Sequence, residues 1–308
     1  MKKLLCILLA AALLFSAGAC QQEEPEQEIQ IDPTGGSENR KETNVALYFG
    51  DANYQMLVRE VRKIRVSVDA KVEKAAIEEL LVGPNATIGM RQLINPDTEV
   101  IKVSQEGKVL TVVLSSEFLD WSFIEHTRPM EEINMVKQLA VYSVVNTLVE
   151  ATGCYQVQIL VEREGDGTGQ RLNLSELGMA ETGVLEPLTR NGEVVLSAQN
   201  TMGVIMRCLV DRNYTAIYSY LAYSDEASER PSESTFVSWL EDSGITLESY
   251  TITETLEQSN QKTAYIMVNY TLKQSTAQRE YRSYPVKLVQ ENSLWKISFT
   301  DLEKLMEY

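Results

Sequence analysis

Apart from carboxylates, this chain has few of the side chains that carry catalysis or bind metals. Its 308 residues include one histidine, four cysteines and 44 aspartates and glutamates. His126 is the lone histidine, and it would need Glu125 or another carboxylate beside it to act as a general base. The surrounding Phe-Ile-Glu-His-Thr-Arg-Pro is typical of a surface loop instead, so we predict no catalytic residue there. The same counts leave little material for a His/Cys metal site, and we expect no metal and no cofactor.

The other motifs for chemistry are weak. Acidic residues are numerous enough to form glycosidase-like pairs, but no pair stands out from a solvated acidic surface. Residues 165–169 are glycine-rich, yet they lack the following Lys-Ser/Thr and the helix that a phosphate-binding loop requires. A net charge of −16 argues against binding phosphate backbones, so we predict no nucleic-acid partner. We predict that the chain is not an enzyme.

The N-terminus has the layout of an export signal. Two lysines follow Met1, residues 4–15 are apolar, and small residues precede Cys20. Two interpretations compete: ordinary secretion at an A-x-A site, or a bacterial lipobox in which Cys20 receives a diacylglycerol. Ala17 stands where a lipobox usually has leucine or another larger apolar residue. We predict a signal peptide over 1–19, cleavage after Ala19, and an acyl (palmitate) anchor on Cys20 at the outer face of the cytoplasmic membrane.

The rest of the chain divides into a linker and two predicted domains. Residues 20–43 are acidic, with two prolines and a Gly-Gly pair, and they bury too little apolar surface to fold, so we expect a flexible tether. Residues 44–163 have periodic apolar patterns, and we predict that they form the first domain. Turn residues fill 164–195, which we predict to be a connector, and 196–308 is the second predicted domain.

The first domain alternates strands and helices. Val72, Ala76 and Leu80 indicate a helix at 71–82, and a longer helical pattern covers 131–152. With the extended segments around them, the order is β-β-α-β-β-α-β. We therefore expect an α+β domain with both helices on one face of a small mixed sheet. The predicted strands are 45–49, 55–68, 99–104, 108–115 and 157–161.

The motifs of this domain resemble those of the GerM domain. The spacings Leu-Leu-x-Gly-Pro at 80–84 and Leu-Ser-x-x-Phe at 114–118 carry the resemblance. The fold that this resemblance implies is similar to the ring-building motifs of secretion and sporulation channels. Further matching segments, in the same order as in the family, are Val45–Phe49, Thr98–Lys102, Val144–Leu148 and Val157–Val161.

The resemblance also implies a function. Members of the family are typically exported lipoproteins of spore-forming, Gram-positive bacteria, and they act as non-catalytic scaffolds in sporulation and spore germination. The implied partners are the membrane, through the lipid, and a protein of the cell envelope or of a sporulation channel. Whether the chain forms an oligomer stays open.

The second domain is predicted as helices followed by an antiparallel meander, an α+β cone. Asn213–Leu221 and Leu294–Ile297 resemble the nuclear-transport-factor-2-like fold. Such cones can hold a small apolar ligand, so Tyr218, Trp239 and Trp295 are either pocket lining or ordinary core. A ligand-binding or envelope-hydrolysing lipoprotein is therefore the alternative function. The predicted helices are 199–210, 211–221 and 234–242, and the predicted strands are 245–257, 263–273, 281–290 and 294–299.

Two cysteines remain beyond the anchor. Cys154 and Cys208 lie in different halves of the chain, each in or beside an apolar stretch. We expect either buried free thiols or an interdomain disulfide.

A basic strand stands out among the 44 acidic residues. It contains Arg59, Arg62, Lys63 and Arg65. One interpretation is a solvated strand face or a protected sheet edge. The other is a surface that attracts an acidic partner or an anionic envelope polymer. On the second interpretation, charge reversal at Arg62 and Lys63 weakens partner capture and leaves the melting temperature nearly unchanged.

Replacing the lone histidine tests the absence of catalysis. We expect His126→Gln to leave function intact, because a surface loop assigns no general-base role to that side chain. Sporulation and germination efficiency, with the melting temperature as a control for folding, are the measurements. A loss of function at unchanged stability would contradict the prediction and reopen the enzyme class.

Overall fold

The computed structural model describes residues 40–67, 70–85, 89–124, 128–223, 230–258 and 262–307. Within these residues the chain forms six α-helices and three sheets, so the fold is α+β, as the sequence predicts. The limits of the two predicted domains stay a prediction.

The first sheet is built on β1 (Arg40–Asp51). Both faces of this strand are covered over Val45–Phe49, which are five consecutive buried residues. The sequence of a strand that is buried on both faces is a continuous apolar run rather than an alternation of apolar and polar residues. β2 (Leu57–Ser67) returns antiparallel beside β1, and the short β3 (Met90–Arg91) pairs with the end of β1. The order β2-β1-β3 leaves β2 at an edge.

The second sheet contains the strands of the predicted motif's second half. β4 (Val100–Glu106) and β5 (Val109–Leu114) form a hairpin, in which Gly107 has a φ of +60°. β6 (Gln156–Glu162) lies parallel to β5, and β7 (Gly169–Arg171) lies antiparallel to β6. A parallel pair needs a crossover, which the helix between β5 and β6 supplies.

The sequence predicts both helices on one face of a single sheet, and the structure differs from this arrangement. α1 (Val72–Val82) and α2 (Met130–Thr152) pack on each other, and α2 also contacts β1 of the first sheet and β6 of the second. Residues 143–148 of α2 are all buried. A helix that is buried around its circumference needs cover on more than one side. The strands therefore form two sheets rather than the single sheet expected.

Polar side chains of α2 hold two neighbouring segments. The Ser143 hydroxyl donates to the Tyr48 carbonyl at 2.5 Å, and the Tyr48 N–H donates to Thr147 Oγ1 at 3.3 Å. The Asn146 side chain donates to the Asn191 carbonyl at 2.8 Å and accepts from the Asn191 N–H at 2.9 Å. These buried polar groups are paired, as buried polar groups generally must be.

The C-terminal part begins with three helices, α3 (Ala198–Val210), α4 (Tyr214–Tyr218) and α5 (Glu233–Asp242). Each starts after a Ser or Asn whose side-chain oxygen accepts a backbone N–H of the first turn. An antiparallel sheet follows, in the order β11-β10-β9-β8, and α3 packs on β8 and β9. The helices-then-meander order is as predicted. The strands are β8 (Ile245–Glu257), β9 (Thr263–Gln274), β10 (Ala277–Glu291) and β11 (Leu294–Ile297).

The last predicted strand is shorter in the structure. β11 ends at Ile297 instead of residue 299, because Ser298 begins a further helix, α6 (Phe299–Leu305). Ser298 Oγ accepts the Asp301 N–H at 3.0 Å, which caps this helix. The resemblance of the C-terminal part to the nuclear-transport-factor-2-like fold stays a prediction.

The two cysteines of the described chain are free. Cys154 and Cys208 are both buried and unbonded, so the disulfide alternative is wrong. Burial raises the pKa of the Cys208 thiol to about 11.

A buried carboxylate joins the end of β1 to the C-terminal part through a hydrogen bond. The chain from Arg40 onward forms one compact unit. Asp51 is 1% exposed. Its Oδ1 accepts the N–H groups of Gln55 at 2.7 Å and Met56 at 2.9 Å, and its Oδ2 accepts the Tyr220 hydroxyl at 2.5 Å. Burial raises the pKa of Asp51 above its ordinary value, although these hydrogen bonds act to lower it.

This carboxylate predicts a pH dependence of stability. Because the pKa is raised, the folded state holds the proton of Asp51 to a higher pH than the unfolded chain does, so the stability contribution of Asp51 falls as the pH rises above about 4. We expect the melting temperature of the wild type, relative to Asp51→Asn, to fall as the pH rises above about 4 for this reason. Thermal unfolding of both proteins measures the difference. Asp97→Asn, at an exposed position, is the control. A difference that is constant or rises with pH would contradict the prediction.

Candidate functional site

β2 presents two different faces. Its residues alternate between buried and exposed from Val58 to Ser67, which is the period of side chains along a strand. On the exposed face lie three cations, which we call the basic stripe, with Val61 among them. The basic stripe consists of Arg59, Lys63 and Arg65, whose side chains are 44%, 65% and 71% exposed.

One acid serves two cations at one end of the basic stripe. Glu42, on the neighbouring strand β1, accepts from Lys63 Nζ at 2.9 Å and from Arg65 Nε at 3.1 Å. These hydrogen bonds lower the pKa of Glu42, so the carboxylate is charged at neutral pH. One carboxylate leaves the pair of cations with an excess of positive charge.

At the other end, one acid pairs with one cation of the basic stripe. Arg59 Nε donates to Glu150 of α2 at 2.9 Å, and the Tyr48 hydroxyl donates to the same carboxylate. Arg190, an exposed cation, donates to the Tyr48 hydroxyl at 3.2 Å. Although burial acts to raise it, the pKa of Glu150 is lowered by the hydrogen bonds from Arg59 and Tyr48. The three cations of the basic stripe are therefore paired with two carboxylates, and Arg190 lies beside the second of them without bonding to it.

Arg62 does not belong to the exposed surface that the sequence assigned to it. It is 9% exposed and lies on the face of β2 that α1 covers. Its Nε donates to Glu60 Oε1 at 2.9 Å, one terminal nitrogen donates to Glu79 Oε1 at 2.8 Å, and the other donates to the Gly83 carbonyl at 2.9 Å. Arg62 is thus an internal clamp between β2 and the end of α1.

This burial corrects the expected effect of reversing Arg62 and Lys63 together. Reversal at Arg62 would place a third carboxylate beside Glu60 and Glu79, and buried like charges are strongly destabilising. The double variant would therefore lose stability as well as any surface interaction. Arg59, Lys63 and Arg65 remain the partner-surface candidates.

The three aromatic pocket candidates do not meet in one cavity. Trp239 packs edge-on to Phe299, with ring centroids 5.2 Å apart, and it lines a surface cavity of about 320 Å³ with Met306 and its neighbours. The lining of that cavity includes neither Tyr218 nor Trp295. The Tyr218 hydroxyl donates to a backbone carbonyl at 2.9 Å, and Trp295 is 6% exposed within the core.

A buried lysine in the C-terminal part was not predicted from the sequence. Lys296 is 3% exposed, and its Nζ lies 4.2 Å from the ring centroid of Tyr223 and 3.4 Å from the Leu221 carbonyl. Arg230 stacks on the same Tyr223 ring at 4.5 Å. Burial lowers the pKa of Lys296 to about 8, and the charge of Arg230 adds to this effect. All four residues of β11 are buried, so alternation gave no signal for this position.

Three predicted residues, Ala19, Cys20 and His126, lie outside the described residues. Within the part of the chain that the structure describes, no group of three or more His, Cys, Asp or Glu side chains is arranged to hold a metal ion. In the same part, no helix has both the length and the apolar character needed to cross a membrane.

Substitutions at two neighbouring residues of β2 test whether Arg62 is internal and Lys63 belongs to the surface. We expect Arg62→Met to lower the free energy of unfolding by about 3–5 kcal/mol, because it leaves the buried Glu60 without its cation. Lys63→Met, on the exposed face, should change it by less than about 0.5 kcal/mol. Urea unfolding of the two variants measures both. Similar losses in the two proteins would show that Arg62 and Lys63 share one environment.

Comparison with solved structures gives distant similarity to sporulation proteins. The tandem GerMN domains of the sporulation protein GerM from Bacillus subtilis match at 18% identity and a TM-score of 0.33, covering 50% of this chain and 45% of that one. The first GerMN domain of the same protein matches at 20% identity and a TM-score of 0.32, covering 48% of this chain and 98% of that one. The chain thus spans less than half of the tandem structure. No curated protein matches the chain.

A family model matches the part of the chain that contains the basic stripe. Residues 46–165 match the model described as "Germane: Sporulation and spore germination". This segment runs from within β1 to just beyond β6 and includes the motif segments at 80–84 and 114–118. Residues 46–165 are therefore similar to this family of sporulation and spore germination domains.

Proposed function

We propose that this protein is an exported, lipid-anchored scaffold that binds a protein of the cell envelope, or of a sporulation channel, during sporulation or germination. The observation that carries the proposal is the GerM domain over residues 46–165. The family resemblance implies a scaffold without catalytic residues, acting outside the cytoplasmic membrane.

The anchor follows from the first residues of the chain. Cys20 directly follows a small-residue cleavage site, and an acidic segment separates it from β1, which begins at Arg40. Two acyl chains on one glycerol hold a protein stably at a membrane, whereas one chain alone does so only marginally. The domain would then work at a distance from the membrane surface that the length of this segment sets.

The carboxylates near the basic stripe support a binding role over a catalytic one. Glu60 and Glu79 both bind Arg62, and Glu150 binds Arg59. A catalytic acid or base needs a free position facing a substrate, with a pKa near the working pH. These three carboxylates instead hold cations of the protein itself. An interaction surface requires only the exposed cations.

Removal of the thiol at position 20 tests the anchor and the export route together. We expect Cys20→Ala to move the protein from the membrane fraction to the soluble fraction, because no acyl chain can then be attached. Cell fractionation with immunoblotting measures the distribution, and Cys6→Ala, within the predicted signal, is the matched control and should leave it unchanged. Sporulation efficiency of both strains is measured in parallel.

Two outcomes would contradict this proposal separately. Equal membrane retention of the wild type and Cys20→Ala would exclude the lipid anchor. Normal sporulation and germination in a strain that lacks the whole gene would exclude the sporulation role, whatever the anchor.

A further inference from the structure

β2 has main-chain hydrogen-bonding groups that face away from β1. At Leu57 this outer side is occupied: the Leu57 N–H donates to the Val194 carbonyl at 2.6 Å, and the Leu57 carbonyl accepts the Leu196 N–H at 2.8 Å. In a strand, the amide groups of every second residue point to the same side. The groups that point outward beyond Leu57 therefore belong to Arg59, Val61, Lys63 and Arg65.

This outer edge is open between two occupied ends. Among the described residues, β2 pairs with β1 along its length and with Val195 at Leu57 alone, and no backbone hydrogen bond reaches the outward groups from Arg59 to Arg65. The next outward contact is the Ala70 N–H, which donates to the Ser67 carbonyl at 2.9 Å. The open stretch is about 23 Å long at about 3.3 Å per residue, enough for a short strand. Val61, at its centre, is 54% exposed.

A strand added here would have a different environment on each of its faces. One face would meet the basic stripe, which keeps an excess of positive charge. The other would lie toward α1. A groove of about 570 Å³ runs across this edge: Glu42, Lys63 and Arg65 line it from the stripe face, and Ile64, Ala75, Glu78 and Glu79 line it from the α1 side. Acidic side chains therefore suit the first face, and small uncharged side chains suit the second.

A second copy of this chain does not suit the edge. Antiparallel pairing of two β2 strands about Val61 would place Arg59 of one copy opposite Lys63 of the other, and pairing about Arg62 would place Arg59 opposite Arg65. Like charges directly opposite each other destabilise a strand pair. The charges of this edge therefore disfavour pairing with a second copy of β2 and favour pairing with an acidic segment.

We propose that the edge of β2 from Arg59 to Arg65 binds an extended segment of a partner protein by strand addition. In this segment acidic residues alternate with small uncharged ones. Its main chain forms hydrogen bonds with the edge of β2, and its acidic side chains form ion pairs with the basic stripe. The inference rests on the proposed function as an interaction protein and specifies the chemistry of its partner.

The test uses the full chain carrying Cys20→Ala, so that membrane anchoring plays no part in it. The probe is a fluorescent peptide of sequence Thr-Glu-Val-Glu-Val-Glu-Thr, blocked at both ends, and fluorescence anisotropy measures its affinity. We expect binding that weakens as salt is raised, because exposed charges are screened over about 8 Å at physiological ionic strength. A peptide with lysine in place of each glutamate should not bind.

Substitutions at Val61 separate main-chain pairing from charge. Val61→Pro removes an outward N–H without removing a bond to β1, and proline is tolerated at such edge positions. We expect it to weaken peptide binding by about tenfold or more, a loss of about 1.4 kcal/mol. Val61→Thr, which keeps the N–H and the β-branched shape, is the matched control and should bind like the parent.

Modification of the peptide gives the same test without altering the protein. N-methylation of alternate amides removes the peptide's donors, and it should abolish binding whether or not Val61→Pro folds. Equal affinity for the methylated and unmethylated peptides would overturn strand addition. Polyphosphate that binds Val61→Pro as well as the parent and displaces the peptide would overturn the protein partner in favour of an anionic polymer. Neither result would bear on Cys20 fractionation, so failure here is distinct from failure of the proposed function.

Discussion

Residues 143–148 of α2 are buried on every side, so their polar groups must find partners inside the protein, and they do so through Ser143, Asn146 and Thr147. Ser143 and Thr147 bind the backbone of β1, so the first sheet is fixed relative to α2. Asn146 binds the backbone at Asn191, so the segment leading into α3 is fixed to the same helix. One turn and a half of α2 therefore locates the first sheet and the entry to the C-terminal part.

Local periodicity was enough to predict most helices and strands, because the buried residues of α3 and β9 repeat at the spacing of their own elements. The alternation along β2 also contained the information that Arg62 shares a face with Ile64. Contacts between distant segments had no local signal: the hydrogen bond from Tyr220 to Asp51 joins residues 169 positions apart. The separation into two sheets was missed for the same reason, since it depends on what covers α2.

One strand uses the same chemistry in two ways. Arg62 faces inward, where two carboxylates and a carbonyl saturate its guanidinium, and its charge is needed to compensate Glu60. Arg59 and Arg65 face outward, where Arg59 binds Glu150 and Arg65 shares Glu42 with Lys63. On our proposal, stability and recognition are thereby assigned to opposite faces of β2, so the outer face can change its charge without disturbing the packing of α1.

The segment Val194–Leu196 covers the Leu57 end of β2 and so sets an origin for any strand that lengthens the sheet. Side chains alternate between faces, so a shift of one residue would turn every acidic group of a ligand toward α1. Only shifts of two residues, about 6.6 Å, preserve the pattern. A long alternating ligand would therefore have several equivalent alignments. The protein could move along it in steps of two residues, and the acidic face of the ligand would contact the basic stripe in each alignment.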